Sequence, residues 1–142
     1  MNLIYSDTST LVPYYADEQF SSLVQKTFTS GEIFISSLAE LEFYSFLNRM
    51  IRTGGLTLNQ KKKVLTLFND HLRQGMFNMI QVTDSVFKTA RWCMEKSDQP
   101  LRTLDSLHLG IVIMENLQLF TTDKTLYEAA KEIGIDLLEI DF

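Results

Sequence analysis

Short apolar bursts along this chain alternate with longer stretches whose apolar residues recur at helical spacing. The opening "NLIYSDTSTLV" shows both habits. Asn2 to Ser6 reads as a strand that stops on Asp7, and Ser9 to Ala16 follows as a helix with Pro13 in its first turns. In the next helix, Glu18 to Thr29, the residues Phe20, Leu23, Val24 and Phe28 share one face. Gly31 breaks the chain before a second strand, Glu32 to Ile35. Ser36 or Ser37 then caps a long helix reaching Thr53, where "TGG" is the clearest turn in the sequence. "TLNQ", Thr57 to Gln60, has the form of a capping box and opens a helix that ends near Gly75. A strand "MFNMIQV", a helix from Asp84 to Ser97 and a loop "SDQP" come next. A very apolar helix from Thr103 to Asn116, a strand "LQLFTT", a helix from Asp123 to Glu132 and a last strand "IDLLEI" complete the pattern.

Strands alternating with helices in this order predict an α/β sandwich, with a mostly parallel central sheet of four or five strands flanked by helices. No repeat, low-complexity tract or linker interrupts it, so residues 1–142 read as a single domain. In such sheets the ligand crevice lies beyond the carboxyl ends of the strands. Asp7 follows the first strand and Asp123 the fourth, so both are aimed at one edge.

Composition changes this picture little. Hydrophobic residues make up 45% and charged residues 22%, as in an ordinary globular domain. The single cysteine, Cys93, excludes an internal disulfide and fits a reducing compartment. No signal-peptide pattern or membrane-length apolar run is present, so the expected location is the cytoplasm. A net charge of −5 argues against a nucleic-acid partner at first sight. If four carboxylates serve as metal ligands, the remainder is −5 + 4 = −1, with 13 Lys and Arg to distribute. Charge alone therefore does not decide.

Acidic residues placed against the local pattern are more informative. Steps of three and four from Glu40 reach Phe43, Tyr44, Leu47 and Ile51, which sets Glu40 on the apolar stripe of its helix. Glu42 shares its face with Ser45, Arg49 and Arg52 and reads as a solvated glutamate. Asp105 stands in the first turn of "TLDSLHLGIVIM", a helix apolar almost all round, where the helix dipole favours a negative charge. Asp7 and Asp123 each serve equally well as helix caps or as site carboxylates. Four hard oxygen donors without a His or Cys cluster suit Mg²⁺ or Mn²⁺. Carboxylates crowded around such a site repel one another and should hold protons to unusually high pH, Asp105 being the expected example. His108 reads as a packed histidine bonding locally, His71 as a surface residue and Cys93 as inert core.

The segments "IYSDTSTLV" with Asp7, "ISSLAELEFYSFLNR" with Glu40, "LRTLDSLHLG" with Asp105 and "LFTTDKTLYEAA" with Asp123 resemble the PIN-domain ribonucleases. Within that family they are most similar to the VapC-type toxins of type II toxin–antitoxin modules. The resemblance implies a PIN-like three-layer sandwich and a metal-dependent endoribonuclease. Asp7, Glu40, Asp105 and Asp123 would bind one or two Mg²⁺ or Mn²⁺ ions as catalytic residues, supported by Thr8 and Thr122. It implies an RNA substrate, single-stranded or looped, cut to leave a 5′-phosphate. Arg49, Arg52, Lys61 to Lys63, Arg91 and Arg102 are the cations available for its backbone. It also implies a protein antitoxin, seated in a groove of the aromatic-rich helices before Thr53, and a homodimer, with no membrane association. The alternatives are a non-toxin PIN nuclease of RNA processing and a catalytically silent PIN binding module. A haloacid-dehalogenase-type phosphatase would need an acid where Ser9 stands, and no nucleotide-binding glycine motif occurs.

Overall fold

The strands send their side chains alternately into two apolar layers, and the computed structural model describes these for residues 2–142. In β1 (Leu3–Ser6) Ile4 enters one layer and Tyr5 the other, and in β4 (Gln118–Phe120) Phe120 and Leu119 divide the same way. From β2 (Glu32–Ser36) Ile33 and Ile35 join the first layer while Phe34 packs against the second. Strands apolar on both faces must be covered on both, which is the condition of a buried parallel sheet. With β3 (Phe77–Ile80) they form a four-stranded sheet, ordered β3-β2-β1-β4 and parallel at every pairing.

Among the described residues seven helices supply the two covers. The first layer is closed by α1 (Thr8–Tyr15), α2 (Ser21–Ser30), α3 (Ser37–Arg52) and α4 (Leu58–Arg73), through Leu11, Val24, Phe28, Phe43, Leu47 and Phe68. The second is closed by α5 (Asp84–Lys96), α6 (Thr103–Glu115) and α7 (Lys124–Ile133), through Val86, Cys93, Leu109, Ile111 and Leu126. The expected three-layer sandwich is the fold. Helix starts follow the capping residues: Asp7, Ser36, Thr57 and Asp123 each accept a backbone N–H of the first turn. Among the described residues no helix is long and apolar enough to cross a membrane.

Two elements differ from the sequence pattern. The second helix begins at Ser21 rather than Glu18, because the Ser21 hydroxyl accepts from the Glu18 N–H at 2.9 Å and donates to the Ala16 carbonyl at 2.9 Å. These local bonds hold the preceding residues as a turn. "IDLLEI" contributes only an isolated bridge, Leu119 to Leu137, with the Leu119 N–H on the Asp136 carbonyl at 2.8 Å and the Leu138 N–H on the Leu119 carbonyl at 2.9 Å. Beyond that point Ile140 turns into the first apolar layer, so the segment covers the sheet more than it extends it.

Helices α5 and α6 pack so closely that Gly110 admits no side chain. A Cβ there would lie 2.8 Å from the Val86 carbonyl oxygen and 3.2 Å from the Ala90 nitrogen. Both obstacles are backbone, so relief requires moving a helix. Gly110→Ala is expected to destabilise the fold by about 1–3 kcal/mol, seen as a lower urea midpoint with an unchanged m-value.

Candidate active site

β1 and β4 lie side by side and end at the same edge, where β2 and β4 diverge from opposite sides of β1. Asp7 follows β1 directly and is only 3% exposed. Burying a carboxylate is costly unless donors surround it, and here they do. Oδ1 accepts from the Ser9 hydroxyl at 2.6 Å and, as the cap of α1, from the Thr10 N–H at 3.3 Å. Oδ2 accepts from the Thr121 hydroxyl at 2.7 Å. The same Thr121 oxygen accepts from the Asp123 N–H at 3.1 Å, which ties the ends of the two strands together.

The other acids arrive on helix starts. Asp123 caps α7, Oδ1 accepting from the Leu126 N–H at 3.2 Å. Asp105, 7% exposed, turns Oδ2 back to the Arg102 N–H at 3.0 Å, one half of a capping box. From α3, Glu42 places Oε1 against the Thr8 hydroxyl at 2.9 Å and His108 Nε2 at 2.5 Å. Asp7, Glu42, Asp105 and Asp123 thus line one cavity of about 740 Å³, together with Arg49, Arg102 and His108.

Three of the predicted acids, Asp7, Asp105 and Asp123, meet there. Glu40 does not line the cavity, and the acid that α3 contributes is Glu42. The buried stripe of α3 runs through Ala39, Phe43 and Leu47. On a helix turning about 100° per residue, Glu40 lies roughly 60° to one side of Phe43 and Glu42 roughly 100° to the other. Only the second flank faces the sheet edge. Ser45 and Arg49, grouped with Glu42 by helical phase, line the cavity as well. The face expected to be solvated is one of its walls.

The supporting hydroxyls also differ. Thr8 bonds Glu42, whereas the Thr122 hydroxyl donates to the Ser9 carbonyl at 3.1 Å and reaches no carboxylate. Ser9 and Thr121 hold Asp7. Both were visible in "SDTST" and "TTD", but which of two adjacent hydroxyls turns inward depends on the backbone. His108 belongs to the cavity wall, and His71 is half-buried with Nδ1 2.6 Å from the Tyr15 hydroxyl. Of the expected cations, Arg49 and Arg102 line the cavity, and Arg52, Lys61, Lys62, Lys63 and Arg91 do not. Cys93 is buried as expected, and burial pushes its thiol up to about 11.

Burial raises the Asp7 carboxyl above its ordinary range; the nearby His108 and the Ser9 and Thr121 hydroxyls oppose the shift, and Asp123 adds to it. Burial alone would raise Glu42 too, but the bond from His108 and its charge, Thr8 and Arg102 outweigh it and hold this carboxyl low. For His108 burial favours the neutral ring, and the bond to Glu42 with the charges of Asp7, Glu42 and Asp105 outweighs it, raising the imidazole. Burial thus keeps Asp7 protonated to higher pH than an ordinary carboxyl.

A PIN domain family model matches residues 4–132. The chain belongs to the PIN domain family. No curated protein matches it. Among solved structures, the PIN domain here is similar to VapC20 of Mycobacterium tuberculosis, described as a sarcin-ricin loop cleaving toxin. They share 13% identity, with 89% of this chain and 94% of that chain covered and a TM-score of 0.67. It is similar to a chain of VapBC2 from Rickettsia felis bound to a promoter DNA fragment, at 14% identity, 98% and 99% coverage and a TM-score of 0.69. A chain of FitAcB from Neisseria gonorrhoeae matches at 15% identity, covering 96% of each, with a TM-score of 0.69. At these identities the likeness is one of fold.

The raised Asp7 carboxyl has a consequence for stability. Its folded pKa lies above the unfolded value of ~3.9, so its ionisation opposes folding. That opposition is absent below about pH 4 and complete above the folded pKa. Asp7→Asn keeps a good helix cap, and the rotatable hydroxyls of Ser9 and Thr121 can accept from the new amide. The variant is expected to melt above wild type in EDTA at pH 7. The margin should shrink to nothing as pH falls toward 4, as followed by thermal melts across that range.

Proposed function

We propose that this PIN domain is a Mg²⁺- or Mn²⁺-dependent endoribonuclease and the toxin of a toxin–antitoxin pair. The observation that carries this reading is the cavity lined by Asp7, Glu42, Asp105 and Asp123 from four parts of the fold, with Glu18 from the segment before α2 and the arginines Arg49 and Arg102.

The donor set fits a hard divalent cation. Asp7, Glu42, Asp105 and Asp123 offer only oxygen, while both nitrogens of His108 are already engaged, by Tyr5 and by Glu42. Among the described residues no three such side chains close around a common point. Each acid gives one oxygen or more to a protein donor, so they ring the cavity rather than form a finished cage. A bound divalent cation lowers the pKa of water and offsets charge gathering on a phosphoryl group. Asp7 and Asp105 would hold one or two such ions from the sheet edge. Among the described residues Glu42, Asp105 and Asp123 each keep an oxygen without a hydrogen-bond partner, and with theirs Glu42 and Asp123 would complete the binding and orient the attacking water. Arg49 on α3 and Arg102 before α6, both lining the cavity, would hold the phosphates flanking the cut.

An apolar groove of about 300 Å³ opens beside the cavity and shares Val12, Glu18 and Phe46 with it; Tyr15, Phe43, Leu47 and Met50 line the rest. This is where the amphipathic segment of an antitoxin would lie, close enough to obstruct the carboxylates. That the similar fold of VapC20 from Mycobacterium tuberculosis is a toxin supports this reading. Phe87, Trp92, Leu104 and Met114 stand exposed on α5 and α6 and supply apolar surface for a homodimer.

Cleavage of single-stranded RNA should require Mn²⁺ or Mg²⁺ and cease in EDTA. Glu42→Gln should lower the rate by roughly 10²–10⁴-fold. Glu40→Gln should stay within about twofold, since its carboxylate is outside the cavity. Equal loss in both variants, or cleavage in EDTA, would overturn the reading. Light scattering at micromolar concentration is expected to give twice the chain mass.

A further inference from the structure

The second apolar layer contains a tyrosine and a histidine where packing alone asks for neither. Tyr5 has no exposed surface and sits mid-strand in β1, and His108 is 3% exposed on a helix whose residues Asp105 to Val112 are all buried. Phenylalanine and leucine would fill these positions without polar groups to satisfy. The polar groups are instead joined in series. The Tyr5 hydroxyl lies 2.8 Å from His108 Nδ1 and 2.8 Å from the Ser36 hydroxyl, and His108 Nε2 lies 2.5 Å from Glu42 Oε1. Ser36 in turn caps α3, accepting from the Ala39 N–H at 3.1 Å.

The series begins and ends on one helix. Through Ser36 the Tyr5 hydroxyl fixes where α3 starts, and through His108 it fixes the tip of a side chain further along the same helix. An ionised Glu42 only accepts, so Nε2 donates to it whether the ring is neutral or protonated. Both side-chain donors, His108 and Thr8, converge on Oε1. Among the described residues the other oxygen has no hydrogen-bond partner, and Glu42 lines the cavity.

We propose that Tyr5 and His108 are positioning residues that hold Glu42 with Oε1 on the protein and Oε2 presented for a divalent cation. This rests on Glu42 being a member of the metal site. Groups of this kind around a metal ligand commonly change affinity by about 10–100-fold when removed.

The test is Mn²⁺ titration calorimetry on the intact protein, with thermal melts of each variant without metal. Glu42→Gln is the reference and should weaken Mn²⁺ binding. Tyr5→Phe and His108→Leu should each weaken it by about tenfold or more. His108→Gln, which keeps an N–H donor, should fall between wild type and His108→Leu. Combined with Glu42→Gln, Tyr5→Phe should add nothing further, because its effect passes through Glu42. If Glu42→Gln binds Mn²⁺ like wild type, the reading of Glu42 as a ligand fails. If Glu42→Gln weakens binding while folded Tyr5→Phe and His108→Gln bind like wild type, the positioning role is overturned and the pair serves stability alone. Should Tyr5→Phe not fold, His108→Gln decides the matter by itself.

Discussion

A carboxylate kept almost out of water at the end of a buried strand is the constraint on which the rest of the site depends. Asp7 can stay there only because Ser9, the first turn of α1 and Thr121 all donate to it. Those donors come from both sides of the crevice between β1 and β4, so satisfying one charge also fastens the crevice. The helix start that relieves the charge is the one the strand needs in order to turn back over the sheet. Cap and site are one residue, and the two local readings of Asp7 were never exclusive.

Glu42 is held differently. Its relief comes from side chains on other elements, Thr8 on α1 and His108 on α6, so its place depends on tertiary structure rather than on its own helix. The site therefore combines acids fixed by local backbone geometry with one fixed by long-range bonds. Asp7 titrates upward and Glu42 downward for this reason. Two carboxylates facing the same cavity are thereby driven to opposite proton affinities.

The layers of the fold were legible because a parallel sheet covered on both faces imposes its own pattern: apolar strands between amphipathic helices, with capping residues at the joints. Asp7, Asp105 and Asp123 were legible for a related reason, since each stands at an element boundary that the pattern locates. Glu42 was misread although its face was correctly grouped with Ser45 and Arg49. Helical phase says which residues share a face but not what that face meets. The test for an acid on the apolar stripe favoured Glu40, yet an acid that must reach both protein donors and solvent belongs at the flank of a stripe. His108 and Thr121 are not legible because their partners Glu42 and Asp7 are distant in sequence, whereas Ser9 lies only two residues from Asp7 and differs from Thr8 in which hydroxyl the backbone turns inward. Of the four or five strands the pattern predicts, four form, because "IDLLEI" has strand composition and composition is silent on how many bridges form.

That abbreviated segment has an effect on how the molecule behaves among its own copies. β4 is a three-residue strand at the edge of the sheet, and its outer N–H and C=O groups would otherwise form a template for another chain. The bonds from Leu119 to Asp136 and from Leu138 back to Leu119 occupy that template, and Ile140 anchors the covering segment in the core. A single bridge is enough to blunt so short an edge. Residues 135–140 act as a selvedge, keeping a neighbour's strand off the β4 edge of the sheet.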